Sequence, residues 1–294
     1  VFSDLASVRV RRLLYLASVL ILVLAVALRV WLGEGEDVRQ IGRELTSNIA
    51  AVILVWVLSI AFLGVFFARE RQAHETRVVD GDRSAKEFST AASNAAIWFH
   101  HGHIGRWVRE NVLPALAVRS ARSPAPLQVI VILLDPRADA VCQGHADRRN
   151  SRRRKDSTPY TARHIKIEIA STILALARAN AALPNFTARV FVSDLDMPFR
   201  LDLCDDYGFI THEDQTAPAF AFESESPYYA TSSAYFERFR SSGAREVNLG
   251  ASSLVDGEVA QSSVKEILAM MDLDFPELDQ RNTRDDIAHR ARYV

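Results

Sequence analysis

The residues LQVIVILLDP, Leu127–Pro136, decide the fold class. An unbroken run of Val, Ile and Leu with no polar alternation predicts a strand covered on both faces, as in a sheet sandwiched between helices. Downstream, RHIKIEIASTILALARANAAL has helical spacing and predicts an amphipathic helix over Thr161–Leu183, followed by a second strand in FTARVFVSD. FRLDLCDDYGFITHE, residues 199–213, reads as strand, turn and strand, and APAFAFES alternates like another strand. SPYYATSSAYFERFRSSG predicts a helix from Ser226 to Gly243. Upstream, AAIWFH is strand-like and GHIGRWVRENVLPALAVRSAR is helical, with Pro114 expected to kink or end it. Alternating strands and helices predict a layered α/β domain over residues 91–245. SSVKEILAMMDLD suggests one more helix, and the remainder of 246–294 reads as a polar tail, disordered or partner-contacting.

The region before this domain is of another kind. Leu13–Leu32 is apolar apart from Arg29, and Asn48–Ala68 carries no charge. Each is long enough as a helix to cross a hydrocarbon core of about 30 Å, so residues 1–72 read as a two-helix transmembrane hairpin. Arg9, Arg11 and Arg12 precede it, and Arg69, Arg71 and Arg77 follow, whereas the connector holds only Arg39 and Arg43. The positive-inside bias places both termini in the cytoplasm. No Asp, Glu, Lys or His lies within a span, which leaves an ion-coupled transporter without parts. Residues 73–90 are polar and read as a linker.

The 294 residues carry a net charge of −1, so bulk charge argues for no nucleic-acid partner, and basic stretches lack the interleaved aromatics of sequence-specific recognition. Cys142 and Cys204 lie far apart and read as reduced, structural thiols. No metal and no cofactor is expected.

Candidate binding residues fall in three places. His100, His101 and His103 cluster where a strand passes through Gly102 into a helix, near Arg106. Unpaired N–H groups at such a helix start suit a phosphate, with a solvated loop as the structural alternative. Zinc is the third option, but no Cys or carboxylate completes a ligand set nearby in sequence. Asp135 and Asp194 end two strands, where α/β sheets commonly bind ligands, although both also suit turns. Arg152, Arg153, Arg154 and Lys155 belong with Arg148 and Arg149 to a basic run that fits a solvated loop, anionic lipid headgroups or ligand phosphates. His164 and Lys166 look like a His-x-Lys pair, but two residues apart on a helix they point about 200° from each other.

The strand–turn–strand at 199–213, within the order strand–helix–strand–helix–strand–turn–strand–helix from Ala95 to Gly243, resembles one half of the phospholipase D-like fold. That family uses a His-x-Lys-x4-Asp motif. Asp206 stands at the place of its Asp, while Phe199 and Leu201 replace the His and Lys. The resemblance thus implies a phosphodiester-binding frame without the nucleophile, hence no catalytic residue and no enzyme. The whole arrangement also resembles two-transmembrane effectors of bacterial anti-phage systems governed by cyclic nucleotides, of the CBASS and Panoptes type. This similarity implies a homo-oligomeric, membrane-disrupting effector in the bacterial inner membrane. Its cytoplasmic domain would bind a cyclic oligonucleotide second messenger through His101, His103, Arg106, Asp135, Arg200 and Asp206. A membrane-tethered phosphodiesterase, nuclease or lipid hydrolase is the alternative, and a membrane-anchored scaffold for a protein partner the next.

Overall fold

The computed structural model describes residues 76–151, 158–212, 217–250 and 263–292. The chain divides into two compact units, 1–74 and 75–294, and all described residues belong to the second. The expected spans at 13–32 and 48–68, and the basic residues Arg152, Arg153, Arg154 and Lys155, lie outside the described residues. Among the described residues no helix is long and apolar enough to cross a membrane.

The second unit is a mixed α/β domain built on one eight-stranded sheet. Its centre is three parallel strands, β2 (Ile97–His101), β3 (Leu127–Leu134) and β4 (Phe186–Ser193). An antiparallel wing continues from β2 through β5 (Arg200–Cys204), β6 (Tyr207–Thr211) and β7 (Ala219–Glu223) to β1 (Arg77–Val79). On the other side, β8 (Arg245–Val247) pairs antiparallel with β4. The expectation from Leu127–Pro136 holds: β3 lies mid-sheet, and all its residues but Gln128 are buried. The connections out of β2 and β3 are helical, as parallel pairing requires.

The larger core joins one sheet face to α1 (Gly81–Asn94), α2 (Leu113–Arg122), α3 (Asp139–Ser151) and α4 (Ala162–Ala182). The smaller one gathers Ile130, Ile132, Phe191, Leu201, Leu203 and Phe222 around Phe236 of α5 (Pro227–Ser242). Ser226 caps α5, its side chain accepting from the Tyr228 N–H, as a serine in front of a proline-started helix should.

Four expectations change. Pro114 does not break its helix: a single wide turn, Val108–Val112, precedes α2, and the proline falls in the first turn after it, where its missing N–H is tolerated. Residues 73–90 are not a linker throughout, because β1 completes the sheet edge and α1 buries Phe88, Ala91 and Ala92. α4 is not amphipathic but buried on nearly every side, Lys166 and Glu168 included. The polar tail is folded: beyond α6 (Val264–Met270), the helix expected from SSVKEILAMMDLD, a 3-10 turn (Pro276–Asp279) and α7 (Arg281–Arg290) bury Leu278, Ile287 and Ala288.

The last two changes have one cause. Lys166 Nζ lies 2.8 Å from Glu277 and also meets Asp139, while Glu168 pairs with Arg109 at 2.7 Å and with Arg290. A buried charge is tolerated only when paired and hydrogen-bonded. The tail supplies a partner to each buried charge of α4, and α4 gives the tail its apolar seat.

Candidate functional site

Because β2, β3 and β4 run parallel, their carboxyl ends share one edge of the sheet, and each is followed by a segment bearing polar side chains. His103 follows β2, His145 and Arg148 lie on α3 after β3, and Asp196 lies in the loop after β4. The loop after β2 is shaped by two glycines. A Cβ on Gly102 would come 2.5 Å from His100 Nε2, and Gly105 has φ +65° with its Cβ direction blocked by Thr172 and Leu133. His103 is thereby held against Leu134, whose N–H donates to its carbonyl.

The four side chains converge. His103 Nε2 and His145 Nδ1 each lie 3.5 Å from Asp196 Oδ1, and the two imidazoles stack with centroids 4.5 Å apart. Arg148 donates to Asp196 Oδ1 at 2.5 Å, to Asp196 Oδ2, and to His145 Nδ1 at 2.8 Å. A guanidinium can only donate, so Nδ1 of His145 carries a lone pair and the proton of the neutral ring is on Nε2. Burial alone would raise the Asp196 carboxyl, but the neighbouring His145 and Arg148 and the charges around it bring it down to about 2. Both imidazoles are buried, whereas the Asp196 side chain keeps 21% of its surface exposed. One ligand atom from each of His103, His145 and Asp196 lies within 4.8 Å of the others, an arrangement able to hold a metal ion.

A second histidine–aspartate pair lies behind the first and is sealed. Sheet register sets His100 opposite Asp202, and His100 Nδ1 meets Asp202 Oδ1 at 2.7 Å. Trp98 Nε1 donates to the same oxygen at 3.2 Å, and Arg200 Nε lies 3.4 Å from the other. Neither side chain of the pair is more than 1% exposed. Burial pushes the Asp202 carboxyl up, but His100, then Arg200 and Trp98, hold it below its ordinary value.

The residues expected from sequence are dispersed. Of them, only His103 belongs to the cluster. His101 is turned to the opposite face of the sheet, against Phe239 at 4.5 Å and Tyr235 at 6.0 Å. Burial, with His100 and His103 adding, lowers its pKa to about 3, so it is neutral and cannot attract a phosphate by charge. Arg106 lies exposed on the first helical turn and pairs with Glu110 at 2.8 Å. Asp135 ends β3 and is engaged by Arg137 at 2.8 Å and Arg245 at 3.5 Å. Arg200 donates to Thr211 and lies over the rings of Trp107 and Phe88. Asp206 is exposed in the turn between β5 and β6; with Trp98 opposite Cys204, that turn lies beside the start of β2, at the far end from His103. The carboxylate carried over from the phosphodiesterase motif therefore does not join the histidines. Leu201, at the place of the motif's Lys, is a core residue.

Arg148 was read only as the start of the basic run, and His145 and Asp196 went unnoticed because no spacing connects them. Asp196 stands two residues beyond the noted Asp194, and His145 stands among helix residues of no evident pattern. Both cysteines are buried, and burial pushes Cys142 up to about 12 and Cys204 to about 11, so neither offers a thiolate at neutral pH. Comparison with protein-family models, curated proteins and solved structures finds no match to this chain. The class is thus defined by the fold itself, a mixed α/β domain with a histidine–aspartate–arginine cluster at the carboxyl ends of its parallel strands.

Proposed function

We propose that this chain is a bacterial inner-membrane effector of anti-phage defence whose α/β domain senses a phosphate-bearing ligand, a cyclic oligonucleotide, and controls membrane disruption by the N-terminal hairpin. The observation that carries the ligand reading is the convergence of Arg148, His103, His145 and Asp196 where β2, β3 and β4 end, the edge at which open α/β sheets take ligands. The membrane part rests on the apolar stretches at 13–32 and 48–68 and on their arginine-rich flanks. A switch of this kind needs a ligand that prefers one of two subunit packings, and homo-oligomers supply such packings. With Phe199 and Leu201 in place of a phosphodiesterase's His and Lys, the reading is binding without cleavage.

The same cluster favours one second reading, a membrane-tethered hydrolase of phosphodiesters or lipids working through a metal held by the imidazoles. The tail on which a scaffold reading would rely is packed against α4. Calorimetric titration of the full chain in detergent micelles with cyclic di- and trinucleotides, followed by chromatography of the ligand, tests the proposal. Saturable binding with the ligand recovered intact is expected. Consumed ligand overturns it in favour of the hydrolase, and no heat with any member of the panel overturns the nucleotide reading.

A further inference from the structure

We propose that His103, His145 and Asp196 form a binding site for one first-row divalent cation of the zinc type, and that in the metal-free chain the guanidinium of Arg148 occupies its place. The donor set is two imidazole nitrogens and one carboxylate oxygen, brought by the segments after three different strands. Such a set suits zinc and its neighbours, and three protein ligands leave a coordination position open for water or a ligand oxygen. A four-coordinate ion with bonds of about 2.0–2.2 Å holds its donors roughly 3.3–3.5 Å apart. Both nitrogen-to-oxygen separations here are 3.5 Å. The donors are thus already spaced for an ion between them, and binding would take from His103 Nε2 the proton it now donates to the Met197 carbonyl.

Arg148 explains how such a site persists without metal. Its Nη2 lies 2.8 Å from His145 Nδ1 and 2.5 Å from Asp196 Oδ1, so one positively charged donor bridges two of the three ligand atoms. An ordinary arginine–aspartate pair has no need of an imidazole lone pair. Here the lone pair of His145 is directed at the cation, in the protonation state a metal would require. At 25% exposure the Arg148 side chain has solvent to move into when displaced. Displacement would free a guanidinium beside an ion with an open position, and together they would suit a phosphate oxygen. The ion site itself does not depend on the nucleotide reading.

The test uses the full chain in detergent micelles, stripped with a chelator and titrated with zinc against a fluorescent indicator, with cobalt absorption as a second probe. One zinc per chain is expected, with a cobalt spectrum of low coordination number. His145→Ala and Asp196→Asn should each weaken zinc about tenfold or more, as loss of one ligand in three does. Arg148→Gln should strengthen it, because the competing cation is gone; a misfolded variant could not mimic that gain. Absence of stoichiometric zinc in both the wild type and Arg148→Gln overturns the site. Binding that survives His145→Ala and Asp196→Asn combined also overturns it. An Arg148→Gln affinity equal to that of the wild type overturns the competition. Because metal content and nucleotide binding are read separately, either proposal can fail alone.

Discussion

Two histidine–aspartate constellations lie in succession along β2 and the loop after it, and they differ in one respect that matters. His100 and Asp202 meet inside the sheet, with Trp98 donating to the carboxylate, Arg200 3.4 Å from it and almost no surface left. His103 and His145 meet Asp196 at the sheet's edge, where the carboxylate is partly open and held by the partly exposed Arg148. Residue types are the same, and distances are of the same order. The sealed pair can serve only the fold, because nothing can reach it. The open cluster is the one a ligand or ion can reach, so it is the one with chemistry available to it. Solvent access separates the two, not the identity of the side chains.

That contrast can be broken by experiment. The largest effect should come from the sealed pair: Asp202→Ala strands His100, Trp98 and Arg200 around a void, and loss of one partner from a buried charged pair costs about 3–5 kcal/mol. Urea unfolding of the full chain should show the midpoint falling steeply. A loss no larger than that of a surface substitution would mean the pair is not structural.

Acid should act next. The folded carboxyl of Asp202 lies below its ordinary value of 3.8, so its contribution to stability is complete above that value. The unfolded chain takes up the proton first as pH falls, and the contribution is gone once pH has passed through the folded value. Asp202→Asn should therefore flatten the acid limb of stability against pH relative to the wild type. Parallel curves would place the ionised carboxylate elsewhere.

The smallest effect is expected at Asp206. It is exposed in a turn at the far end of the sheet, and Asp206→Ala should leave the melting midpoint, the zinc affinity and the nucleotide titration unchanged. A loss of ligand binding in this variant would restore the phosphodiester frame at 199–213 and collapse the distinction between the two ends.

Much of the fold was legible. β3, β4, the hairpin of β5 and β6, β7 and α4 come from apolar runs, unbroken or periodic, and α5 from a capped stretch begun by a proline, and such patterns state their own secondary structure. α1 was passed over although Phe88, Ala91, Ala92 and Ala95 have the spacing of a buried helical stripe; alanines among polar residues make a weak signal. The tail looked polar because its charges are many, and their partners on α4 are more than a hundred residues away. Of the site, the loop after β2 was found, Arg148 was read only as part of a basic run, and His145 and Asp196 were not found. Local pattern singled out three adjacent histidines but could not show that His100, His101 and His103 go to three different surroundings.

The sequence by itself determined the α/β class of the second unit and the apolar character of the first seventy residues, because these depend on periodicity and composition along the chain. Only the tertiary structure decided that α4 is buried, that the tail closes over it, and that His103, His145, Arg148 and Asp196 meet while Asp206 stands apart. Those outcomes depend on which strand ends share an edge, and strand order across a sheet is set by long-range pairing that no local stretch of residues encodes.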